Sequence, residues 1–302
     1  MHTNPPQAGF LGVSVETDLS HLDADVAILG VPHGWQYPRP GATAGCADAP
    51  AAVRRRSQRM TRFVDHWDFD LDGPMRLERV VDAGDVPGDP TDGPRNSQRT
   101  IEAVAAILAR GAVPICIGGD DSVPIPILRA YEGRGPITVV QVDAHLDFRD
   151  EVDGVREGYS SPMRRASEMS HVDRIIQVGL RGVGSARAAD VDDARAAGNL
   201  LVTARELRER GVPWLLERLP ADASVFVSFD CDGLDPSVCQ AVSAPAPGGI
   251  SYGEAWDLLA GVGRRLAGVA FTEYVPALDN NHLSALVVTR LTSAVIAGLI
   301  SA

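Results

Sequence analysis

The segment from Val139 to Asp147 restricts what this chain can become more than any other segment. It opens with β-branched residues interrupted only by Gln141, which is typical of a strand buried inside a parallel sheet. Asp143, His145 and Asp147 then follow at alternate positions, and side chains two residues apart on an extended segment point to the same side. Two carboxylates and an imidazole aimed at one point are costly to bury without a cation. The segment therefore predicts a cation site at a strand end, and the alternative interpretation is an Asp-rich loop that caps the next helix.

Two further segments repeat this design. One apolar strand ends in Asp230 and Asp232, and another ends in a glycine pair followed by Asp120 and Asp121. In an open parallel sheet the carboxyl ends of the strands share one rim, and ligands bind at that rim. We therefore expect the three acid-bearing strand ends to converge on one site.

Strands of this kind alternate with helical patterns along the whole chain. Apolar residues at helical spacing predict an amphipathic helix from residue 97 to residue 110. Thr203 with Glu206, and Ser251 with Glu254, are capping boxes that should open two further helices. Because no change of composition marks a linker, we predict one α/β domain of three layers with a central parallel sheet.

Composition narrows the class of protein. The chain has 302 residues, of which 45% are apolar, enough for a sizeable core, and its net charge of −12 argues against nucleic acid or an anionic membrane as a partner. Its four cysteines show no paired spacing and are predicted to be buried free thiols. The first twenty residues lack an apolar signal region, and no apolar run is expected to span a membrane. These features predict a soluble, cytoplasmic protein.

Three regions outside the acidic strand ends also receive predictions. Residues 1–25 are predicted to form an N-terminal arm on the surface or against a neighbouring subunit, and residues 26–302 to form the single main domain. A helix over 50–60 carries four arginines, which are predicted to face solvent or another subunit. Asp82 and Asp85 end another strand and are predicted to support the site or a turn rather than bind a metal.

At its acid-bearing strand ends the chain resembles the ureohydrolase family, the arginases and agmatinases. The metal motifs of that family read Gly-Gly-Asp-His-Ser, Asp-Ala-His-x-Asp and Ser-x-Asp-x-Asp-x-x-Asp-Pro. The likeness runs from about residue 26 to the C-terminus and includes three more segments, 39–42, 244–249 and 273–279. It implies an arginase-like fold and is closer to agmatinases and guanidino-acid hydrolases than to arginase.

The resemblance implies a centre with two divalent cations. Oxygen-dominated ligation favours a hard ion, so Mn²⁺ is expected before Zn²⁺, with Ni²⁺ or Co²⁺ as other candidates. Such a pair lowers the pKa of a shared water and supplies hydroxide near neutral pH. By the family pattern the ligands are Asp121, Asp143, Asp147 and Asp230 for one cation and Asp143, His145, Asp230 and Asp232 for the other.

The implied reaction is hydrolysis of a guanidino C–N bond to urea and an amine, as in agmatinases and guanidinobutyrases. Glu273 matches the glutamate of the family and is predicted to anchor the guanidinium through both of its oxygens. Asp147 is predicted to carry a proton to the leaving amine, and Tyr159 to contact the substrate.

The chain departs from the family pattern in two places. Asp121 stands where the family has histidine, which adds a negative charge while keeping a competent ligand. The segment 157–162 lacks the histidine that the family often carries there, and the loop with which arginases hold the α-amino and α-carboxylate groups is missing. An agmatine-like or guanidino-acid substrate is therefore favoured over arginine. Arg149 and Arg156 could face a substrate carboxylate or simply be solvated.

Other functions stay open at this point. A non-catalytic family member that partners an active paralogue in a hetero-oligomer is the main alternative, because both departures lie close to the chemistry. A metal-dependent deacetylase on the same fold is less favoured, since the duplicated acid pairs indicate two metals. Relatives suggest a homo-oligomer, either a trimer or a hexamer.

Overall fold

The computed structural model describes residues 1–38 and 44–300 of the chain. The segment 39–42, which carries part of the family resemblance, lies outside the described residues. The strands of the described part are β1 (Val26–Gly30), β2 (Val80–Asp85), β3 (Val113–Ile117), β4 (Ile137–Val142), β5 (Val172–Leu180), β6 (Leu200–Thr203), β7 (Ser224–Asp230) and β8 (Leu266–Thr272). Its α-helices are α1 (Ala49–Ser57), α2 (Gly93–Ala109), α3 (Pro124–Arg129), α4 (Pro162–Ser167), α5 (Ala188–Ala196), α6 (Ala204–Arg210), α7 (Val212–Leu216), α8 (Tyr252–Val262) and α9 (Leu283–Ile300).

The eight strands form a single sheet, in the order β2-β1-β3-β8-β7-β4-β5-β6, and every neighbouring pair is parallel. The prediction of a parallel α/β sheet is thereby confirmed. The three acid-bearing strands β3, β7 and β4 lie in the middle of the sheet, with β8 between β3 and β7. Since parallel strands end at the same rim, this order brings the four strand ends side by side.

Alternate side chains of the strands pack into two separate hydrophobic layers, one on each face of the sheet. Val140 and Val142 pack on one face with residues of α1 and α6–α9, whereas Val139 packs on the other face with residues of α2–α5. A Val, Leu or Ile buried completely in this way contributes about 1.5–3 kcal/mol. The molecule therefore has the three predicted layers, and the buried sheet holds the strand ends rigidly.

Helix starts follow local capping, with two differences from the predictions. The helix predicted over 97–110 begins at Gly93, because the Asp92 side chain accepts a hydrogen bond from the Arg95 backbone N–H at 3.1 Å. Ser251 and Glu254 form the predicted capping box of α8. At α6 the Thr203 hydroxyl caps the helix, but Glu206 pairs with an arginine of the next turn.

Helix α9 corrects one expectation from composition. Its 18 residues have a mean hydropathy of 1.9, so by length and composition alone it is able to cross a membrane. In the fold 61% of it is buried, and it packs against α1 and α8. Its apolar character is therefore used in the core of the domain.

The first 25 residues lie against the main body. Asn4 and Val15 form backbone bridges with β2, while Phe10 and Leu19 are completely buried. The division of the chain into residues 1–25 and 26–302 stays a prediction.

The prediction for the arginine-rich helix is wrong at one position. Arg54 of α1 is 3% exposed, and its guanidinium donates to Asp82 Oδ2 at 2.8 Å and Oδ1 at 2.9 Å. The same guanidinium also pairs with Asp85. We call these three residues the Arg54 cluster. The sequence of the helix alone does not reveal this pairing, because both acids lie on β2, which begins more than twenty residues later in the chain.

Candidate metal centre

A cavity of about 400 Å³ opens at the rim where β3, β8, β7 and β4 end. Among the predicted ligands, Asp143 is completely buried beneath the cavity, and the other five line it, together with Glu273 and Tyr159. The structure thus brings every predicted site residue to one place. The lining residues are Asp121, His145, Asp147, Tyr159, Ser160, Val183, Gly184, Ser185, Asp230, Asp232, Ser243, Ala244 and Glu273.

Two groups of these side chains approach each other closely enough to hold a metal ion. One ligand atom from each of Asp143, His145 and Asp232 lies within 4.8 Å of the others, and the same holds for Asp121, Asp143 and Asp230. Asp143 belongs to both groups, as expected of a carboxylate that bridges two cations. Each group is a subset of one ligand set that the sequence predicts. Asp147 joins neither group, although it lines the same cavity.

A chain of buried amides orients Asp143. Asn199 Nδ2 donates to Gln177 Oε1 at 2.8 Å, Gln177 Nε2 to Gln141 Oε1 at 2.6 Å, and Gln141 Nε2 to Asp143 Oδ2 at 2.6 Å. Gln141 and Gln177 are directly opposite in the register of β4 and β5. Gln141 interrupts the valines at the end of β4, and this polar residue in an apolar run is the signal by which the sequence marks it.

His145 is held between two carboxylates. Its backbone N–H donates to Asp143 Oδ1 at 2.6 Å, and its ring Nδ1 lies 3.1 Å from Asp232 Oδ2. Hydrogen bonds with Asp143 and then Asp232 raise the pKa of His145 to about 10. Gly184 lies against the imidazole, and a Cβ there would be 2.5 Å from His145 Cδ2. Only glycine allows the loop to lie this close.

Asp121 is fixed from β8. The Thr272 hydroxyl donates to Asp121 Oδ1 at 2.7 Å, and the Asp121 backbone N–H donates to Glu273 Oε1 at 2.9 Å. Among the described residues Asp121 Oδ2 has no hydrogen-bond partner although it is buried. A buried carboxylate oxygen without a partner is unfavourable unless something outside the chain binds it.

Two of the site residues have a left-handed backbone conformation. Glu273 has a φ of 61° and Asp147 a φ of 43°, a region that non-glycine residues rarely adopt and that costs roughly 1–3 kcal/mol each. This conformation turns Glu273 back towards β3, where its two oxygens face the Asp121 N–H and the Cys46 thiol, 3.7 Å away. The surrounding contacts therefore hold Glu273 in a geometry that its backbone alone would avoid.

The carboxylates of the centre outnumber the positive charge beside them, which among the described lining residues comes from His145 alone. Burial, and next the charge of Asp232, raise the pKa of Asp143 to about 6. Burial and the neighbouring charge of Asp143 raise the pKa of Asp121 and of Asp147 well above the usual value, and burial together with Asp232 does the same for Asp230. None of the lining residues that the structure describes is an arginine or a lysine.

This arrangement fits hard divalent cations. The five side chains of the two groups supply mainly oxygen atoms, one carboxylate oxygen has no hydrogen-bond partner among the described residues, and added positive charge would relieve the mutual repulsion of the acids. The two overlapping groups offer room for two cations rather than one. The residues present therefore fit a dinuclear centre.

The remaining predicted residues divide between the cavity and the surface. The Tyr159 ring packs edge to face on Tyr37, with 4.5 Å between the ring centroids. Arg149 donates to the Ser185 carbonyl and Arg156 pairs with Asp150, so neither arginine lines the cavity. Sequence reasoning missed Thr272 and Cys46, both of which contact a site residue and follow no metal motif.

Comparison with known proteins agrees with the geometry. Residues 24–298 match the Arginase family. The chain is 34% identical to a guanidinopropionase of Pseudomonas aeruginosa, covering 92% of this chain and 87% of that protein. It is 30% identical to a mitochondrial agmatinase of Gallus gallus, covering 95% of this chain and 87% of that protein. A Trypanosoma cruzi formiminoglutamase with Mn²⁺ superposes with a TM-score of 0.80 and 28% identity, covering 91% of this chain and 93% of that one.

The family match spans nearly the whole chain, and the parallel sheet, the acid-bearing rim and the paired ligand groups are all present. The chain therefore belongs to the arginase family of ureohydrolases, hydrolases that act on the C–N bonds of linear amidines.

Proposed function

We propose that this protein hydrolyses a small guanidino compound to urea and an amine, with two Mn²⁺ ions as its cofactors. One observation carries the proposal: a dinuclear ligand set and a carboxylate suited to a guanidinium, Glu273, share one cavity. The family names the reaction class, and this juxtaposition supports the finer assignment.

In this proposal Asp121, Asp143, Asp147 and Asp230 hold one ion, and Asp143, His145, Asp230 and Asp232 hold the other. When bound, the ions lower the pKa of a water molecule so that hydroxide is available near neutral pH. Every other task falls to residues of the chain, namely binding, orientation and proton transfer.

Glu273 binds the guanidinium nitrogens. Burial, and next the charge of Asp120, raise the pKa of Glu273 to about 8, and a bound guanidinium would favour its ionised form. The carboxylate is held by the Asp121 N–H, so it meets the planar substrate at a fixed angle. Asp147 lines the cavity and carries the proton to the leaving amine.

The cavity favours an agmatine-like substrate with a cationic or neutral tail. Its described lining offers acids and the hydroxyls of Tyr159, Ser160, Ser185 and Ser243, and no described arginine lines it to receive a carboxylate. A guanidino acid, as the guanidinopropionase relative takes by its name, is the second substrate class. Its carboxylate would enter a cavity rich in negative charge.

Metal analysis combined with a urea-release assay tests this function. The purified full chain should contain about two divalent ions after loading with Mn²⁺ and dialysis, and it should release urea from agmatine faster than from guanidinobutyrate, guanidinopropionate or arginine. A chain that takes up Mn²⁺ but releases no urea from any of these compounds would support a non-catalytic role in a mixed oligomer. A chain that takes up no Mn²⁺, Ni²⁺ or Co²⁺ would refute the dinuclear centre.

A further inference from the structure

Position 121 differs from the family pattern in chemistry as well as in size. A histidine offers a metal one nitrogen atom, whereas a carboxylate offers two oxygens and a charge. In this structure one oxygen is already occupied, because the Thr272 hydroxyl donates to Asp121 Oδ1 at 2.7 Å. Oδ2 is buried and has no hydrogen-bond partner among the described residues. Oδ2 is therefore the oxygen of Asp121 that is open to a ligand without competition from a hydrogen-bond donor among the described residues.

We propose that Thr272 is a positioning residue that makes Asp121 a single-oxygen metal ligand and so compensates for the absence of the family histidine. The proposal rests on the proposed function only in that the centre binds divalent cations. It assigns to Thr272, which follows no metal motif, control over how tightly the ion beside β3 is held.

The geometry directs the hydroxyl proton of Thr272 to Asp121. The hydroxyl has two acceptors within reach, Asp121 Oδ1 at 2.7 Å and the Phe229 carbonyl at 3.4 Å. It has one proton, and the shorter contact to a charged acceptor is the stronger bond. Thr272 is completely buried, so water does not compete for either partner.

The end of β8 holds residue 121 by two independent contacts. Thr272 bonds the side chain of Asp121, and the next residue, Glu273, accepts from the Asp121 backbone N–H at 2.9 Å. Thr272 is also directly opposite Asp230 in the register of β7 and β8. One strand end therefore orients a metal ligand, lies beside a second one and carries the proposed substrate anchor.

Loss of the hydroxyl should have a defined consequence. Without it Asp121 Oδ1 has no donor in a buried site, so the carboxylate would rotate to share both oxygens with the ion or with its neighbours. Residues that orient a metal ligand in this way typically change metal affinity by about 10–100-fold when they are removed. The effect should fall on the ion nearest Asp121.

The experiment is a titration of the full chain with Mn²⁺ after chelator treatment, followed by calorimetry. In Thr272→Val, which keeps the side-chain shape, one of the two Mn²⁺ affinities should fall by about tenfold or more. Thr272→Ser keeps the hydroxyl and should bind Mn²⁺ within about threefold of wild type, well inside that range. Thr138→Val is the matched control, because Thr138 is a buried strand residue that donates to Asp173 at 3.1 Å, away from the cavity.

A second comparison separates positioning from simple packing. In an Asp121→His background the imidazole needs no donor on a second oxygen, so adding Thr272→Val should change Mn²⁺ affinity much less than it does in wild type. An equal loss in both backgrounds would refute the proposal, as would a Thr272→Val protein that binds Mn²⁺ like wild type. If Thr272→Val fails to fold by circular dichroism, Thr272→Ala takes its place with the same two expectations.

The outcomes distinguish this inference from the proposed function. A wild-type chain that binds two Mn²⁺ ions but releases no urea removes the function and leaves the Thr272 assignment to be decided by the affinities. A wild-type enzyme that is active, together with a Thr272→Val variant of unchanged affinity, removes only the Thr272 assignment.

Discussion

Two groups of buried acids in the same sheet contrast sharply in how their charge is balanced. In the Arg54 cluster, Asp82 and Asp85 of β2 share one guanidinium, which donates to both of them. In the metal centre, acids such as Asp143 and Asp230 are equally buried, but none of the described residues that line the cavity is an arginine. Both groups lie on strands, and both would be costly without positive charge.

The difference shows what each group is for. Asp82 accepts two hydrogen bonds from Arg54, one from the Phe10 backbone N–H at 2.8 Å and one from the Gly84 backbone N–H at 3.0 Å, so its oxygens are fully occupied within the chain. Asp121 instead keeps one buried oxygen unpartnered. Where the chain supplies its own cation the acids stabilise the fold, and where it does not they remain available to a ligand.

The largest contrast should appear in activity. Asp143→Asn and Asp230→Asn each remove a carboxylate from the proposed bridging positions, so urea release should fall by more than about 100-fold, the upper range for residues that only support ligands. Asp82→Asn should keep kcat/KM near that of wild type in its folded fraction, because Asp82 lies outside the cavity. Wild-type activity in Asp143→Asn would show that the centre is not where the chemistry occurs.

The free energy of unfolding should depend more on the Arg54 cluster than on the metal centre. Arg54→Met leaves the buried Asp82 and the partly exposed Asp85 without their cation, so the free energy of unfolding should drop by about 3–5 kcal/mol in urea denaturation. The matched control is Arg79→Met, since Arg79 also pairs with two acids but its side chain is 47% exposed, and its unfolding midpoint should be unchanged. Equal losses in the two variants would contradict the structural role of the buried cluster.

Metal addition should stabilise only through the centre. At a free Mn²⁺ concentration 100 times the dissociation constant of a site, binding at that site should raise the free energy of unfolding by about 2.7 kcal/mol. The same increment is expected in Arg54→Met, whose cluster needs no metal, provided that this variant is folded. It should shrink in Asp230→Asn. Thermal unfolding with and without a chelator measures all three, and a full increment in Asp230→Asn would rule out that residue as a ligand.

The smallest expected effect is the change in stability on replacing one acid by asparagine, which should have opposite signs in the metal centre and in the Arg54 cluster. In chelator-treated protein at neutral pH, Asp121→Asn removes one of several repelling charges and still accepts the Thr272 hydrogen bond, so stability should rise by about 1 kcal/mol. Asp82→Asn removes the partner of a buried arginine and should lower stability. If both substitutions shift the urea midpoint in the same direction, the two groups do not differ in charge balance.

Much of the site could be predicted because its signals are local. Asp143 and His145 end an apolar strand at a spacing that aims both side chains the same way, and Asp230 with Asp232 repeats the pattern. The alternation of strands and helices then indicates a parallel sheet, whose rim must collect those residues. Tyr159 also lies in the cavity, as the sequence predicts.

Other features depend on partners far apart in the chain and carry no local signal. From the sequence, Arg54 is predicted to be one of four surface arginines of a helix. In the structure β2 places Asp82 against it. The left-handed backbone of Glu273 cannot be predicted from the strand pattern. The contacts that hold it come from Asp121, which follows β3, and from Cys46.

The sequence by itself determined the fold class and the family and predicted the candidate metal ligands, because strand periodicity and motif spacing act within a few residues. Only the tertiary structure decided which acids are neutralised by the chain and which are left for cations. That decision depends on the order of strands in the sheet, which brings β8 beside β3 and so places Thr272 on Asp121. Charge balance in a buried site is a sum over neighbours in space, and those neighbours are set by packing rather than by position along the chain.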